Sequence, residues 1–420
     1  MKTKALAILL AGVIVRVEIA SFAGHPVDLG FFTYSARLYY ETGRFDTLFP
    51  ALPLLYYIQL LFYSLYAIIR DAGFSDPTFL YHPDYMIEGL ILRIPEMLAD
   101  VGIFYLLLKF TGKLRFASFY LLNPFIIYLT AAWGMYDSLM MMPLIAGFVL
   151  MSRNQTRLAS FAFVISGLIK LFGFVPFGLL AIDNIVQKRF KELAIQLGIG
   201  SGLSLLTFAP YFGTGLENFY VGFVLRFLGG SGALSRSYNI IANSFGLRFT
   251  GSSPLVWVAG AVVLSGFVID RVRRNHGPIL KPLVLWSILA AVFLDLFSQS
   301  QPQWLSWLIP LSILYGFVAR RTGLADFTYF FGVMGTFLSI TLLQSSTYLV
   351  TGIPYALFSA LEGLPNGIIV YDFTIFGMLL MLVGYIFLRP IKFKLEIIAL
   401  TALVYLQAYF WFTLMRVGPF

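Results

Sequence analysis

Apolar runs close to 20 residues long recur along most of the chain, separated by short polar segments. A helix needs about 20 apolar residues to span the roughly 30 Å of hydrocarbon in a bilayer. Because the apolar positions follow the helical period, the pattern predicts an all-α polytopic membrane protein with about 13 transmembrane helices, in a range of about 11 to 14. The predicted helices lie near residues 5–22, 88–109, 116–132, 138–152, 158–169, 172–186, 193–210, 254–270, 282–298, 303–319, 327–345, 367–388 and 395–415.

Composition supports this pattern. Of the 420 residues, 59% are hydrophobic and only 12% are charged, whereas about 25% are charged in an average soluble domain. The mean hydropathy is +0.84. Too little polar surface remains to cover a water-facing shell, and this excludes an ordinary soluble globular protein.

The sequence offers little for metal or redox chemistry. It contains no cysteine, which excludes disulfides, thiolate metal sites and a cysteine nucleophile. Its three histidines, His25, His82 and His276, are scattered, so no histidine metal cluster is expected. Chemistry must come from carboxylates, lysines, arginines or amides. We expect no metal ligands and no obligatory cofactor, and a divalent metal is kept open as an alternative.

The basic residues predict the orientation of the helices. Most of the 29 lysines and arginines fall in segments that an alternating path places on one side, together with the N terminus. Cytoplasmic loops are rich in lysine and arginine, so the N terminus is predicted to be cytoplasmic. The net charge of +9 is then explained by topology, and no nucleic-acid partner is expected.

This path requires that the apolar run 51–69 does not cross the membrane. Four tyrosines lie in or beside it, and tyrosine prefers the membrane interface, so an interfacial helix outside the membrane is predicted. The chain then divides into five segments: a first transmembrane helix at 1–22, an outer loop with interfacial helices at 23–87, a transmembrane module at 88–210, a second outer loop at 211–253 and a C-terminal transmembrane module at 254–420.

Two carboxylates on the predicted outer side are candidates for chemistry. Asp28 precedes a predicted helix from about residue 30 to 42 and is either its N-cap or a general base at the membrane surface. Asp137 lies at an outer turn beside Trp133 and Tyr136. That turn is either an ordinary polar reversal or a sugar-binding site, because aromatic rings and a carboxylate suit a sugar's apolar face and hydroxyls.

Cations on the same side are candidates for binding a phosphate. Lys170 ends a short predicted helix at an outer turn, where it either reaches toward the headgroups or binds a phosphate. Further anion partners are Arg93, Arg226 and Arg236, and weaker polar candidates are Gln301 and Gln303 in the QPQW stretch.

Several ionisable residues fall inside predicted membrane helices: Arg16, Glu18, Glu96, Asp100 and Asp295. Burying such groups unpaired is costly. We therefore expect structural pairing, with Arg16 bound to Asp100 or another acid on a neighbouring helix.

The order of these motifs resembles the GT-C superfamily of integral membrane glycosyltransferases. The resemblance runs over most of the chain and rests on the first-span Arg16 and on VDLGFFTYSARLYYETG, FDTLFPALPLLYY, LRIPEMLAD, LNPFIIYLTAAWGMYDS, LIKLFGFVP and SQSQPQWLSWLIPL. Within the superfamily, the chain looks most like dolichyl-phosphate-mannose-dependent enzymes of the first GPI mannosyltransferase type. Two features differ: Asp28 stands without a second acid, with Tyr34 near that position, and QPQW replaces a basic turn.

The resemblance implies transfer of a hexose, with mannose as the first candidate, from a polyprenyl or dolichyl phosphate to a lipid- or protein-linked acceptor. The donor would enter from the membrane lipids, and the reaction would occur on the extracytoplasmic side of a prokaryotic plasma membrane or an ER membrane. As a hypothesis, Asp28 accepts the hydroxyl proton while Lys170 and Arg226 or Arg236 neutralise the phosphate. Trp133, Tyr136 and Asp137 would orient the sugar. In-line displacement predicts inversion at the anomeric carbon.

Two other classes of function stay open at this stage. A transporter or lipid flippase would use the charged residues in the helices as a solute or proton pathway, although the polar candidates lie on one side rather than near the midplane. A non-catalytic subunit of a membrane complex would keep the fold without using Asp28 as a base.

Overall fold

The part of the chain that can be described is almost entirely helical. The structure is a computed structural model, and it describes residues 2–24, 26–43, 52–74, 84–211, 254–274, 277–297 and 302–321, with scattered positions between 323 and 386. The all-α class expected from the sequence is confirmed for these residues. The last three predicted helices fall mainly outside them, and so does nearly all of the predicted loop 211–253.

The helices are numbered here along the chain. The first seven are α1 (Lys2–Phe22), α2 (Pro26–Thr42), α3 (Pro53–Ile69), α4 (Asp84–Thr111), α5 (Leu114–Leu121), α6 (Pro124–Ile127) and α7 (Asp137–Met151). The others are α8 (Thr156–Ile169), α9 (Phe174–Val186), α10 (Phe190–Phe208), α11 (Pro254–Arg273), α12 (Leu280–Phe297) and α13 (Leu305–Val318). Each predicted helical stretch up to residue 319 is therefore helical, and most ends agree within a few residues.

One predicted helix, 116–132, is broken. Helix α5 ends at Leu121, Asn123 accepts a hydrogen bond from the Phe125 amide as an N-cap, and Pro124 begins α6. Proline lacks the amide needed inside a helix but fits its first position, which explains the break. A wide helical turn, Tyr128–Trp133, follows and ends at Gly134.

None of the described helices is by itself both long enough and apolar enough to qualify as a bilayer span, whereas the bent pair Leu114–Leu121 and Pro124–Trp133, inclined at 41°, qualifies together.

The core lies where α7 packs on both α4 and α8. Close approach of α7 and α8 depends on Gly147, because a Cβ there would lie 2.3 Å from the Phe163 ring. Phe163 in turn meets Phe148 edge to face at 5.2 Å. The start of α7 is held to the end of α8 by the Ser166 hydroxyl, which donates to the Met140 carbonyl at 2.8 Å. Candidate site residues lie at these two points.

The predicted pairing of Arg16 is present. Its Nε donates to Asp100 Oδ2 at 2.8 Å, and both side chains are fully buried. The pair links α1 to α4. Of the other ionisable residues predicted in these helices, Glu96 and Asp295 are buried, whereas Glu18 is exposed on α1.

Ion pairs mark one end of the helix bundle. Arg157 and Glu192, near the starts of α8 and α10, lie 2.9 Å apart. At the same end, the buried Asp183 of α9 binds Arg271 of α11 at 2.5 Å and Arg189 at 2.6 Å. These contacts bring together three of the basic segments that the sequence assigns to one side, those of Arg157, Arg189 and Arg271.

Helix α3 packs against α2, α4 and the far ends of α8 and α10. Tyr56 donates its hydroxyl to the Ser35 carbonyl of α2 at 2.8 Å, and Tyr57 donates to the Thr207 carbonyl of α10 at 3.0 Å. Its opposite face exposes Leu61, Leu65 and Ile68, spaced as an apolar stripe on one side of a helix. Helix α3 thus lies at the end of the bundle remote from the Asp183 ion pairs.

The bond from Tyr57 to α10 yields a first prediction. Burial raises the pKa of Tyr57 to about 12, and Tyr39 adds to the rise, so the phenol stays protonated and keeps donating at neutral pH. Tyr57→Phe is expected to lower the free energy of unfolding by about 1 kcal/mol, the usual net value of one such bond. Thermal unfolding in detergent measures this, with the exposed Tyr34→Phe as control. An equal effect of both substitutions would contradict it.

Candidate functional site

Asp28 lies in the first turn of α2 at the end of the bundle remote from Asp183. The helix begins at Pro26, earlier than the predicted residue 30, because proline fits the first helical position. Asp28 is therefore inside the helix and is not its N-cap. In the first turn, its carboxylate also gains from the positive end of the helix dipole.

The Asp28 carboxylate is held by a tryptophan. Trp133 Nε1 donates to Asp28 Oδ2 at 2.6 Å, across 105 residues of sequence. Trp133 itself is only 1% exposed, so its ring offers no open face to a sugar. The expectation that Trp133 orients a sugar by direct contact is revised, since its indole N–H orients the acid instead.

A glycine allows this contact. Gly134 follows Trp133 with a φ of 90°, in the left-handed region that favours glycine. A Cβ at this position would lie 2.6 Å from Leu29, the residue after Asp28. Gly134 therefore both reverses the chain and lets the start of α2 approach the turn that carries Trp133.

Asp137 and Lys170, both predicted site residues, form an ion pair. Asp137 opens α7 and is buried, Lys170 follows the last residue of α8, and Lys170 Nζ lies 2.7 Å from Asp137 Oδ1. The lysine is 17% exposed at its side chain. Its ammonium also lies 5.1 Å from the ring centres of Tyr136 and of Trp307, within range of a cation–π attraction.

Trp307, in α13, contacts both Asp137 and Lys170. It was not predicted from the sequence. Its Nε1 donates to Asp137 Oδ1 at 2.5 Å. Its ring stacks on Phe172 at 4.5 Å and on Trp304 at 5.5 Å. The only signal in the sequence is the three-residue spacing of two tryptophans after QPQ, which places both on one helical face.

Aromatic contacts link the helix of Asp28 to Lys170 and Asp137. Phe32 lies one helical turn after Asp28, and its ring meets Tyr136 edge to face at 5.1 Å. Tyr136 in turn lies beneath the Lys170 ammonium. A path of direct contacts therefore runs from the helix of Asp28 to Lys170 and Asp137, which the sequence placed only on the same side.

Arg93 makes a different set of contacts. It is 1% exposed, and its guanidinium donates to the carbonyls of Gly89 at 2.7 Å, Ala20 at 2.8 Å, Ala23 at 2.5 Å and Ala131. These bonds hold the end of α1 and the wide turn Tyr128–Trp133 against α4. We therefore assign Arg93 a structural role in place of the expected anion contact.

The other predicted residues fall into two groups. Gln303 is buried in the turn before α13. Arg226, Arg236 and Gln301 lie outside the described residues. Their predicted roles in binding stay predictions.

The described side chains do not form a ready-made metal site. Within the described ranges, no three histidine, aspartate or glutamate side chains gather closely enough to hold an ion. The groups that do gather are a carboxylate fixed by an indole, an ammonium fixed by a second carboxylate, and a wall of aromatic rings. Such a set can accept a proton, neutralise an anion and contact an apolar ring face.

No protein-family model and no curated protein matches the chain.

Proposed function

We propose that the chain is an integral membrane glycosyltransferase that moves a hexose, with mannose as the first candidate, from a polyprenyl or dolichyl phosphate to an acceptor hydroxyl on the extracytoplasmic side. The observation that carries the proposal is the set of aromatic contacts, through Phe32 and Tyr136, that links the helix of Asp28 to Lys170. A base and a phosphate-binding cation are the two groups that such a transfer needs from the protein.

In the proposed reaction, the acceptor oxygen attacks the anomeric carbon while the bond from that carbon to the phosphate oxygen breaks. Asp28 takes the hydroxyl proton, and the phosphate leaves with its electron pair. Because a phosphate is a good leaving group, no strong general acid is required. Attack opposite the leaving group gives a product of inverted configuration.

Lys170 would neutralise the leaving phosphate. An ammonium carries three N–H donors, and the structure assigns one of them to Asp137. The others remain for phosphate oxygens. Asp137 then keeps the ammonium in place, which differs from the direct sugar contact expected from the sequence.

A membrane location is supported by exposed apolar side chains on the outer faces of α1, α10 and α11. They include Leu6, Leu10, Ile14, Leu205, Leu206, Val258, Val262 and Ile269. Exposed apolar surface on this scale is typical of contact with lipid. The basic ion pairs and Asp28 lie at opposite ends of the bundle. This arrangement is consistent with one cytoplasmic and one extracytoplasmic end.

The rival proposal, a transporter or lipid flippase, relied on Arg16, Asp100 and Asp295 as a pathway through the membrane. Arg16 and Asp100 are fully buried and bound to each other, which fits a structural pair better than a transport pathway. Asp28 also lies at one end of the bundle, whereas carriers bind their substrates near the midplane.

The proposal is tested by transfer in liposomes. Purified protein is supplied with radiolabelled dolichyl-phosphate-mannose or dolichyl-phosphate-glucose and a membrane lipid extract, and labelled product is separated from donor. Product of inverted anomeric configuration is expected. Movement of labelled donor across the bilayer without product would favour the flippase, and a retained configuration would rule out the single displacement.

The role of Lys170 gives a second prediction. We expect Lys170→Met to lower kcat/KM for the donor roughly 10- to 100-fold, because a hydrogen bond to a charged group contributes about 1.5 to 3 kcal/mol. Lys170→Arg keeps the charge and should lose less. The control is Lys109→Met, an exposed lysine at the opposite end of the bundle. Unchanged kcat/KM in a folded Lys170→Met variant would remove Lys170 from phosphate binding.

A further inference from the structure

One buried carboxylate gathers donors from four separate elements. Asp100 Oδ2 accepts from Arg16 Nε at 2.8 Å and from the Thr130 hydroxyl at 2.9 Å, and its Oδ1 accepts from the hydroxyls of Tyr120 and Ser138 at 2.7 Å each. These residues lie in α1, the wide turn, α5 and α7. A carboxylate has about four lone-pair positions, and these contacts occupy them when the single Thr130 hydroxyl proton points to Asp100 rather than to the Ile126 carbonyl. We call these five residues the Asp100 clasp.

The clasp grips both ends of one short segment. Thr130 lies three residues before Trp133, and Ser138 directly follows Asp137. Between them the chain carries Trp133, Tyr136 and Asp137, whose described contacts reach both halves of the candidate site. Trp133 holds Asp28, and Asp137 binds both Lys170 and Trp307.

The residues of the clasp are shielded from water. Asp100 and Arg16 have no exposed surface, and Thr130, Ser138 and Tyr120 are buried. In such a low-dielectric setting, hydrogen bonds to a charged group are strong and their geometry is narrowly defined. Both ends of the segment are therefore held by the same buried carboxylate.

We infer that Asp100 is a positioning residue for the proposed transfer, and the inference rests on that proposed function. By holding Thr130 and Ser138, it sets the distance between the indole that orients Asp28 and the carboxylate that orients Lys170. The base and the phosphate-binding cation are thus placed by one buried group that touches neither substrate. This goes beyond the structural pairing that the Arg16–Asp100 contact alone indicates.

Removing single donors tests the clasp without leaving Arg16 unpaired. In Ser138→Ala and Thr130→Val, kcat is expected to fall roughly 10- to 100-fold at little changed KM, since small misplacement of reacting groups has effects of this size. The control is Ser287→Ala, which removes a buried hydroxyl that bonds only within α12. Thr130 also has the Ile126 carbonyl within 2.8 Å, so the larger effect is expected for Ser138→Ala.

A structural reporter separates this inference from the proposed function. The six tryptophans are replaced by 5-fluorotryptophan, and the resonances of Trp133 and Trp307 are assigned with Trp133→Phe and Trp307→Phe. Ser138→Ala should broaden or shift the Trp307 signal, Thr130→Val the Trp133 signal, and Ser287→Ala neither.

The combined outcomes are decisive. If wild-type protein transfers no sugar, the proposed function and the catalytic role of the clasp fail together, while the fluorine response still reports whether the clasp positions the segment. If wild-type protein is active and the two variants keep full kcat with unchanged fluorine signals, the clasp is overturned and the proposed function stands. Reduced thermal stability with unchanged kcat per folded molecule would also overturn it.

Discussion

Asp28→Asn is expected to lower kcat for sugar transfer by about 10²- to 10⁴-fold, the usual contribution of a general base. Asparagine has nearly the same size, and its side-chain oxygen can still accept from Trp133 Nε1, which lies 2.6 Å from the native carboxylate. It cannot take the proton of the acceptor hydroxyl. Binding of the donor should therefore be preserved, so the loss appears in kcat rather than in KM.

The measurement is initial-rate transfer from dolichyl-phosphate-mannose by folded protein, compared with wild type. Glu41→Gln is the matched control, since Glu41 lies on the same helix, is exposed and pairs with Arg37. Equal rates for wild type and Asp28→Asn would remove Asp28 as the base and direct attention to Asp137. Loss of activity in Glu41→Gln as well would indicate a general effect on α2.

The second large effect concerns stability at the opposite end of the bundle. Arg271→Leu is expected to destabilise the protein by roughly 3 to 5 kcal/mol, because removing one partner leaves a buried charge poorly compensated. Arg271 and Asp183 are both fully buried at 2.5 Å, and Arg271 also donates to the Gly277 carbonyl at 2.9 Å. Arg189 and Gln187 still bind Asp183, which favours the lower end of this range.

The matched control is Arg189→Leu. Arg189 binds the same buried carboxylate at 2.6 Å, but its own side chain is 43% exposed, and its removal leaves Asp183 paired with the buried Arg271, so a smaller loss is expected. Thermal and denaturant unfolding in detergent should therefore show a much lower stability for Arg271→Leu than for Arg189→Leu. A double variant, Asp183→Leu with Arg271→Met, should recover part of the loss because no buried charge remains. Equal loss in both single variants would contradict the ranking.

Helix positions were predictable because long apolar runs and basic segments carry them directly. The pairing of Arg16 was predictable as well, since a buried arginine needs an acid and Asp100 is one of few. The break at Pro124 was missed, although proline and the capping Asn123 signal it locally. The apolar run 116–132 is continuous enough to conceal it.

The site was predicted only in part. Asp28, Tyr136, Asp137 and Lys170 were assigned to one side, and the structure brings them into one chain of contacts. The partners could not be predicted, because they depend on contacts between elements distant in sequence. Trp133 was expected to face a sugar and instead binds Asp28, while Arg93 binds backbone carbonyls. Asp183 carries no local signal that distinguishes it, and Trp307 carries only its three-residue spacing from Trp304.

The contact between Asp137 and Trp307 has a consequence for biosynthesis. Lys170 is made 33 residues after Asp137, whereas Trp307 follows Asp137 by 170 residues. At about 5 to 20 residues per second, the ribosome reaches the lysine within several seconds but the tryptophan only after roughly 10 to 30 seconds. The ion pair can therefore form early in translation, while the contacts around Asp137 stay incomplete until α13 emerges.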